Sequence, residues 1–206
     1  MAVQAVLFDI GGVLIHANLE SYAERGAPVF KCTPEALRAA VQPRVPKLEK
    51  GEISSEDFWK EVGEVLWSKG LGQLPNPVQF KGLWKQLMVE SLKLDNQVLK
   101  LCWNLRAKVM VGALSNTIKE HAEYLAELGY YQPFKPCVLS CLVGQRKPDK
   151  SIYQLAAKQT GKSIGKCLFI DDSEVNCQAA KAAGMKVHHF TGLYPLVSEL
   201  TKYKLL

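Results

Sequence analysis

The stretch AVLFDIGGVL at residues 5–14 decides the fold. Its first four residues are apolar, and an unbroken apolar run is typical of a parallel strand that is covered on both faces. A single carboxylate, Asp9, follows directly, and Gly11 and Gly12 then predict a turn. A charged group at the end of a buried strand is costly unless it has a partner or a function. The stretch therefore predicts a buried parallel strand that carries a carboxylate to its end.

Four more apolar runs have the same character, and helical segments separate them. The five predicted strands span residues 3–8, 109–114, 137–140, 167–170 and 186–190. A helix is predicted over 117–128, where Thr117 and Glu120 have the spacing of a capping box, and Asp149 and Ser173 are expected to cap two others. Strands that alternate with helices predict an α/β fold with a doubly wound parallel sheet.

Residues 16–93 interrupt this alternation and have an all-helical pattern. Thr33 followed by Pro34 is a typical helix start, and a second helix begins after Ser54. Apolar residues then recur at helical spacing as far as Met88. We therefore predict an α/β core made of residues 1–15 and 94–206, with an all-helical cap, residues 16–93, inserted after the first strand.

Composition and charge exclude several classes of protein. The net charge is +6, but the basic residues are scattered, so we expect no nucleic-acid partner. We also expect no membrane partner, because no apolar run approaches the ~18 residues of a membrane span. The N-terminal apolar run is too short for a signal peptide, and the six cysteines show no C-x-x-C spacing. Reduced thiols and a cytoplasmic location are the expectation.

Polar side chains cluster at the predicted strand ends, where open parallel sheets bind their ligands. Each one alone has an ordinary explanation as a turn former or a helix cap. Together they would bring three acids, one lysine and a hydroxyl–amide pair to one point, and crowded carboxylates favour Mg²⁺ between them. These residues are Asp9, Ser115, Asn116, Lys147, Asp171 and Asp172.

The same residues give the chain its resemblance to the haloacid dehalogenase superfamily, whose members are mostly phosphatases. The matching motifs lie at residues 8–14, 114–116, 147–149 and 169–176, and the resemblance covers essentially the whole chain. It implies a Rossmann-like core, and the helical insertion resembles the first type of cap in that family. Within the family, the chain is similar to the phosphatase domain of soluble epoxide hydrolase and to sugar-phosphate phosphatases.

The resemblance implies a Mg²⁺-dependent phosphatase that hydrolyses a small phosphorylated metabolite. Asp9 would be the nucleophile that forms an aspartyl-phosphate, and we expect Mg²⁺ and Lys147 to keep the pKa of Asp9 low. The implied catalytic residues are Asp9, Lys147 and Ser115, the implied substrate-binding residues are Asn116 and Gly12, and the implied metal ligands are Asp9, the Gly11 carbonyl, Asp172 and Asp171, the last either directly or by orienting the others.

One position departs from the family pattern. Phosphatases of the family usually carry an aspartate two residues after the nucleophile, where it protonates the leaving oxygen, and this chain has Gly11 there. His16 is one candidate replacement, and a hinge or surface role is the alternative for it. Two other functions stay open: a 2-haloacid dehalogenase, which the Asp171–Asp172 pair argues against, and a noncatalytic protein that binds a phosphorylated ligand or a protein partner.

Overall fold

The structure, a computed structural model, describes residues 2–17, 19–89 and 91–206. The strands are β1 (Ala5–Phe8), β2 (Ile15–Ala17), β3 (Leu92–Leu94), β4 (Met110–Ser115), β5 (Cys137–Leu139), β6 (Cys167–Asp171) and β7 (Lys186–His189). Five of them form one parallel sheet in the order β5-β4-β1-β6-β7, and β2 and β3 form a separate antiparallel ribbon.

Helices cover both faces of the sheet and form the cap. They are α1 (Leu19–Phe30), α2 (Pro34–Val41), α3 (Val45–Glu49), α4 (Ser55–Ser68), α5 (Leu83–Val89), α6 (Asn96–Leu105), α7 (Lys119–Glu127), α8 (Ser140–Val143), α9 (Lys150–Thr160), α10 (Glu174–Ala183) and α11 (Leu193–Lys202), with 3-10 turns at Pro77–Phe80 and Ile164–Lys166. No helix within the described ranges is long and apolar enough to cross a membrane.

The central strand β1 is buried on both faces, which explains its unbroken apolar sequence. Val6 and Phe8 pack into the cluster that contains side chains of α6 and α11. Ala5 and Leu7 point the other way, into the cluster that contains side chains of α9 and α10. The predicted α/β class with a doubly wound parallel sheet is therefore confirmed, and the five strands lie within two residues of their predicted ends.

The predicted start of α7 is wrong. The helix begins at Lys119, and no side chain caps it. Thr117 is instead tied to the end of β5, because its N–H donates to Ser140 Oγ and its carbonyl accepts from the same hydroxyl. Ser173 and Thr33 cap their helices as predicted, whereas Asp149 occupies a cap position without a side-chain hydrogen bond.

Helices α1–α5 have a hydrophobic core of their own. Trp59 lies at its centre, with ring centroids 4.6 Å from Trp84 and 5.6 Å from Phe30. Ile118, which precedes α7, joins this cluster, so the cap packs on the sheet's carboxyl edge. The ribbon of β2 and β3 contains both predicted cap boundaries, residues 16 and 93. The division into core and cap at those two residues stays a prediction.

Candidate active site

Three neighbouring strands end in polar residues at the same edge of the sheet. Asp9 follows β1, Ser115 is the last residue of β4, and Asp171 is the last residue of β6. Because β1 lies between β4 and β6, Asp9 stands between the other two positions. All three residues are buried. The strand order thus produces the convergence that the sequence predicts.

A buried ammonium joins two of the carboxylates. Lys147 is 1% exposed, and its Nζ lies 2.8 Å from Asp9 Oδ1 and 2.7 Å from Asp171 Oδ2. The same nitrogen lies 5.4 Å from the centre of the Phe169 ring. Burial alone would lower the pKa of Lys147, but the two carboxylates raise it above its ordinary value. Lys147 is therefore a permanent positive charge at the site.

The carboxyl group of Asp9 is oriented by two donors to one oxygen. Oδ1 accepts from the N–H of Ile10 at 2.7 Å and lies beside Lys147 Nζ. Burial raises the pKa of Asp9 to about 7, Lys147 acts in the opposite direction, and Asp171 adds to the rise. Our expectation that Asp9 has a low pKa therefore does not hold through Lys147 alone. A further positive charge at the site would lower the pKa of Asp9 and favour its ionised form.

The two acids after β6 have different surroundings. Asp171 is fully buried, and its oxygens accept from Lys147 Nζ, from the N–H of Ser173 at 2.8 Å and from Asn176 Nδ2. Asp172 is exposed to solvent on one side. Loss of water on its other side and the neighbouring Asp171 raise its pKa. These contacts favour the alternative in which Asp171 orients neighbouring groups and does not bind the metal directly. They leave Asp172 as the accessible acid.

The donor set fits a divalent cation. Ligand oxygens of Asp9, Asp171 and Asp172 lie within 4.8 Å of one another. Three ionised carboxylates and one ammonium leave two negative charges, which one Mg²⁺ would balance. Carboxylate and carbonyl oxygens are also the ligands that Mg²⁺ prefers.

The hydroxyl and amide at residues 115 and 116 are used differently. Ser115 Oγ makes a single long hydrogen bond of 3.4 Å among the described residues, to the carbonyl of Asn116, so its hydroxyl remains available to a ligand. Asn116 clamps the lysine backbone: Oδ1 accepts from the N–H of Lys147 at 2.8 Å, and Nδ2 donates to its carbonyl at 2.9 Å. The predicted phosphoryl contact of Asn116 stays a prediction, with the second amide hydrogen as its donor.

The two glycines after Asp9 are needed for different reasons. Gly12 has a φ of +74°, and a β-carbon there would overlap the Asp172 carboxyl group. Only glycine fits this position without strain. Gly11 has no positive φ, and a β-carbon there would have no neighbour within 4 Å. The turn therefore tolerates a side chain at residue 11. Steric strain does not explain why glycine stands there in place of the family's usual aspartate.

A cavity of about 640 Å³ lies between the cap and the sheet edge, with Gly11 and Ser115 among its lining residues. His16 does not line it; the side chain is half exposed, with Nε2 3.8 Å from Asp95 Oδ2. This placement favours the surface or hinge alternative for His16. His121, to which the sequence assigned no role, does line the cavity, and burial lowers its pKa to about 4. Its position beside Trp84 depends on cap packing, which no local sequence signal indicates.

Comparison with known proteins identifies the family. Residues 3–184 match the model of the haloacid dehalogenase-like hydrolases, and the chain belongs to that family. The chain is similar to the sesquiterpene phosphatase astK of Aspergillus oryzae, with 27% identity over 96% of this chain and 94% of that protein. It is also similar to the putative phosphatase YhcW of Bacillus subtilis, with 26% identity over 89% of this chain and 81% of that protein.

Among solved structures, the chain resembles a haloacid dehalogenase family enzyme of Bacteroides thetaiotaomicron in complex with magnesium and inorganic phosphate. That likeness has a TM-score of 0.71 and 25% identity over 90% of this chain and 93% of that one. A predicted hydrolase of the same family from Porphyromonas gingivalis has a TM-score of 0.77 at 22% identity, over 98% and 99% of the two chains, which shows the shared fold.

The contrast between the glycines gives a matched pair of variants. We expect Gly12→Ala to lose about 1–2 kcal/mol of unfolding free energy, because it forces a side chain into a positive φ and against Asp172. Gly11→Ala should stay within about 0.5 kcal/mol of the wild type. Urea unfolding of the three proteins measures both values. Equal stability of the two variants would contradict this description of the turn.

Proposed function

We propose that the protein is a Mg²⁺-dependent phosphomonoesterase in which Asp9 attacks the phosphorus of a small phosphorylated metabolite. The observation that carries the proposal is the fixed orientation of the Asp9 carboxylate. A buried strand, the Ile10 N–H and the Lys147 ammonium fix its carboxylate at the sheet edge, beside the exposed Asp172. A nucleophile held in one orientation before substrate binding lowers the entropic part of the barrier.

Two displacements at phosphorus complete the reaction. In the first, an oxygen of Asp9 forms a bond to phosphorus while the ester bond breaks, and the leaving oxygen takes up a proton from solvent water. In the second, water attacks the phosphorus of the aspartyl-phosphate and gives up a proton to solvent, which releases inorganic phosphate and restores Asp9. Lys147 and the Ser115 hydroxyl would stabilise the charge on the phosphoryl oxygens during both steps.

The groups that would hold Mg²⁺ are Asp9, the Gly11 carbonyl and Asp172. Asp171 would keep Lys147 in place. When bound, the ion neutralises charge on the phosphoryl oxygens and on the carboxylates. Asp9 has a pKa raised to about 7, so this added positive charge favours the ionised nucleophile. The magnesium and phosphate in the similar enzyme of Bacteroides thetaiotaomicron support the assignment.

The acid pair also favours phosphoryl chemistry over the alternative dehalogenase reaction. An attack on carbon with loss of a halide needs no metal, so that reaction has no use for the exposed Asp172 beside Asp171. The phosphatase names of two relatives that span most of this chain support the same choice.

The six free cysteines agree with the predicted cytoplasmic location, which stays a prediction.

Removal of the metal should abolish the activity. A chelator should reduce phosphate release from an aryl phosphate to background, and added Mg²⁺ should restore it, because the carboxylate cluster then regains its neutralising charge. The measurement is phosphate release before chelation, after chelation and after Mg²⁺ is returned. Full turnover in metal-free buffer would contradict the proposed metal dependence.

Loss of the nucleophile should be complete. Asp9→Asn keeps the size of the side chain but removes its charge, so turnover should fall below detection while the protein remains folded. Beryllium fluoride should bind to Asp9 in the wild type and not in this variant. The exposed cap residue Asp57 supplies the control, since Asp57→Asn should keep wild-type turnover. A tenth of wild-type turnover in Asp9→Asn would place the nucleophile elsewhere.

Gly11 should leave a kinetic signature, because no side chain there can protonate the leaving oxygen. Among phosphate esters of similar size, kcat/KM should fall steeply as the pKa of the leaving alcohol rises. Gly11→Asp should accelerate alkyl esters most, by up to about 10²-fold, and thus flatten that dependence. Gly11→Asn is the matched control, since it adds an uncharged side chain of the same size. A flat dependence in the wild type would mean that another group already supplies the proton.

A further inference from the structure

The cavity above the sheet edge has the position and size of a substrate site. Its volume of about 640 Å³ lies in the range of roughly 300–1,000 Å³ that is usual for small-molecule pockets. Most of its walls come from the cap, while Gly11 and Ser115 form part of the end next to Asp9. A group that leaves from phosphorus at Asp9 would therefore extend into this cavity.

The walls of the cavity are predominantly apolar. Leu37 and Val41 lie one turn apart on α2, and Trp59, Trp84 and Leu87 complete the side formed by the cap. Ile118 and Leu125 contribute from the core. Walls of this kind favour hydrocarbon, because its burial against them removes apolar surface from water.

The charged and titratable lining residues add no net charge to the interior of the cavity. Glu49 and Arg146 face each other, with Glu49 Oε2 2.8 Å from Arg146 Nε, so their charges cancel. His121 is neutral near pH 7 because burial lowers its pKa to about 4. Arg38, the remaining charged side chain among the described lining residues, is exposed to solvent. The interior thus presents no net charge to an occupant.

Gly11 leaves room at the reacting end of the cavity. A β-carbon at this residue would have no neighbour within 4 Å, so the backbone occupies little of the space beside Asp9. The absence of a side chain at residue 11 therefore gives a bulky leaving group room directly beside Asp9.

We propose that the leaving group of the substrate is a large hydrocarbon group that fills this cavity, so that the protein acts on apolar phosphomonoesters. This inference rests on the proposed function for the position of the phosphoryl group. The hydrocarbon contributes binding through burial against Leu37, Val41 and the two tryptophans, while Lys147 and Asp9 meet the phosphoryl end.

A series of 4-alkylphenyl phosphates, from methyl to octyl, isolates the effect of burial. The acidity of the phenol is nearly constant along this series, so differences in rate do not reflect the leaving-group chemistry. We expect kcat/KM to rise by about fourfold per methylene until the cavity is full, the ratio that corresponds to burial of one methylene. The non-hydrolysable 4-alkylbenzylphosphonates should show the same trend in affinity, measured by tryptophan fluorescence.

Two residues of α2 give a matched pair of variants. Val41→Asp puts a charge on the cavity wall and should lower kcat/KM for the octyl ester by about tenfold or more, with little effect on the methyl ester. Ala39→Asp adds the same charge to the exposed face of the helix and should match the wild type. If Val41→Asp does not fold, Ala23→Leu narrows the cavity from α1 and should end the rise at a shorter chain.

The outcomes separate the two proposals. Hydrolysis with no dependence on chain length would overturn the apolar leaving group and leave the phosphatase function intact. Phosphonate affinity that rises with chain length, without hydrolysis of any ester, would support the cavity assignment and overturn the proposed reaction. Phosphonate affinity that is flat, together with no hydrolysis, would overturn both.

Discussion

The ammonium of Lys147, held between Asp9 and Asp171, is the interaction on which the rest of the site depends. Two carboxylates at adjacent buried strand ends repel each other, and their burial is costly without a compensating positive charge. Lys147 lies within 2.8 Å of both, and Asn116 fixes the lysine backbone through two hydrogen bonds. The loop before α9 is thereby fastened to the end of β4. The site is consequently assembled in the folded protein before any ligand binds.

The same arrangement explains why one further cation fits. Asp171 is fully engaged by Lys147, Ser173 and Asn176, whereas Asp172 is exposed beside the turn at Gly12. The glycine at residue 12 brings the backbone close to Asp172, and the raised pKa of Asp9 indicates that the lysine does not balance the charge of this cluster by itself. The strand order, the turn and the charge balance thus all favour a site for one further cation beside Asp9 and Asp172.

Much of the fold and of the candidate site could be predicted from the sequence, because buried parallel strands have unbroken apolar runs and polar ends. Those signals located β1, β4 and β6 and hence the residues that meet in the site. The start of α7 was wrong because Ser140, distant in sequence, binds the Thr117 backbone. Helix α6 was missed although Asp95 caps it and apolar residues recur at helical spacing.

Other features could not be predicted, since they arise from contacts between distant segments. The apolar cavity requires Leu37 of the cap to lie near Leu125 of the core, and no local pattern encodes that approach. The raised pKa of Asp9 depends on the depth of burial, which outweighs the effect of Lys147. The hydrogen bonds between Asn116 and the Lys147 backbone join positions 31 residues apart, so the sequence did not indicate them.

The most direct test of the central claim is to locate the covalent intermediate during turnover. The protein would be mixed with an aryl phosphate and Mg²⁺, denatured rapidly and reduced with borohydride, which converts an aspartyl-phosphate to homoserine. Mass spectrometry of the peptides should then find homoserine at position 9 and at no other aspartate. Homoserine at Asp171 or Asp172, or phosphate release with no homoserine at all, would contradict the assignment of Asp9 as the nucleophile.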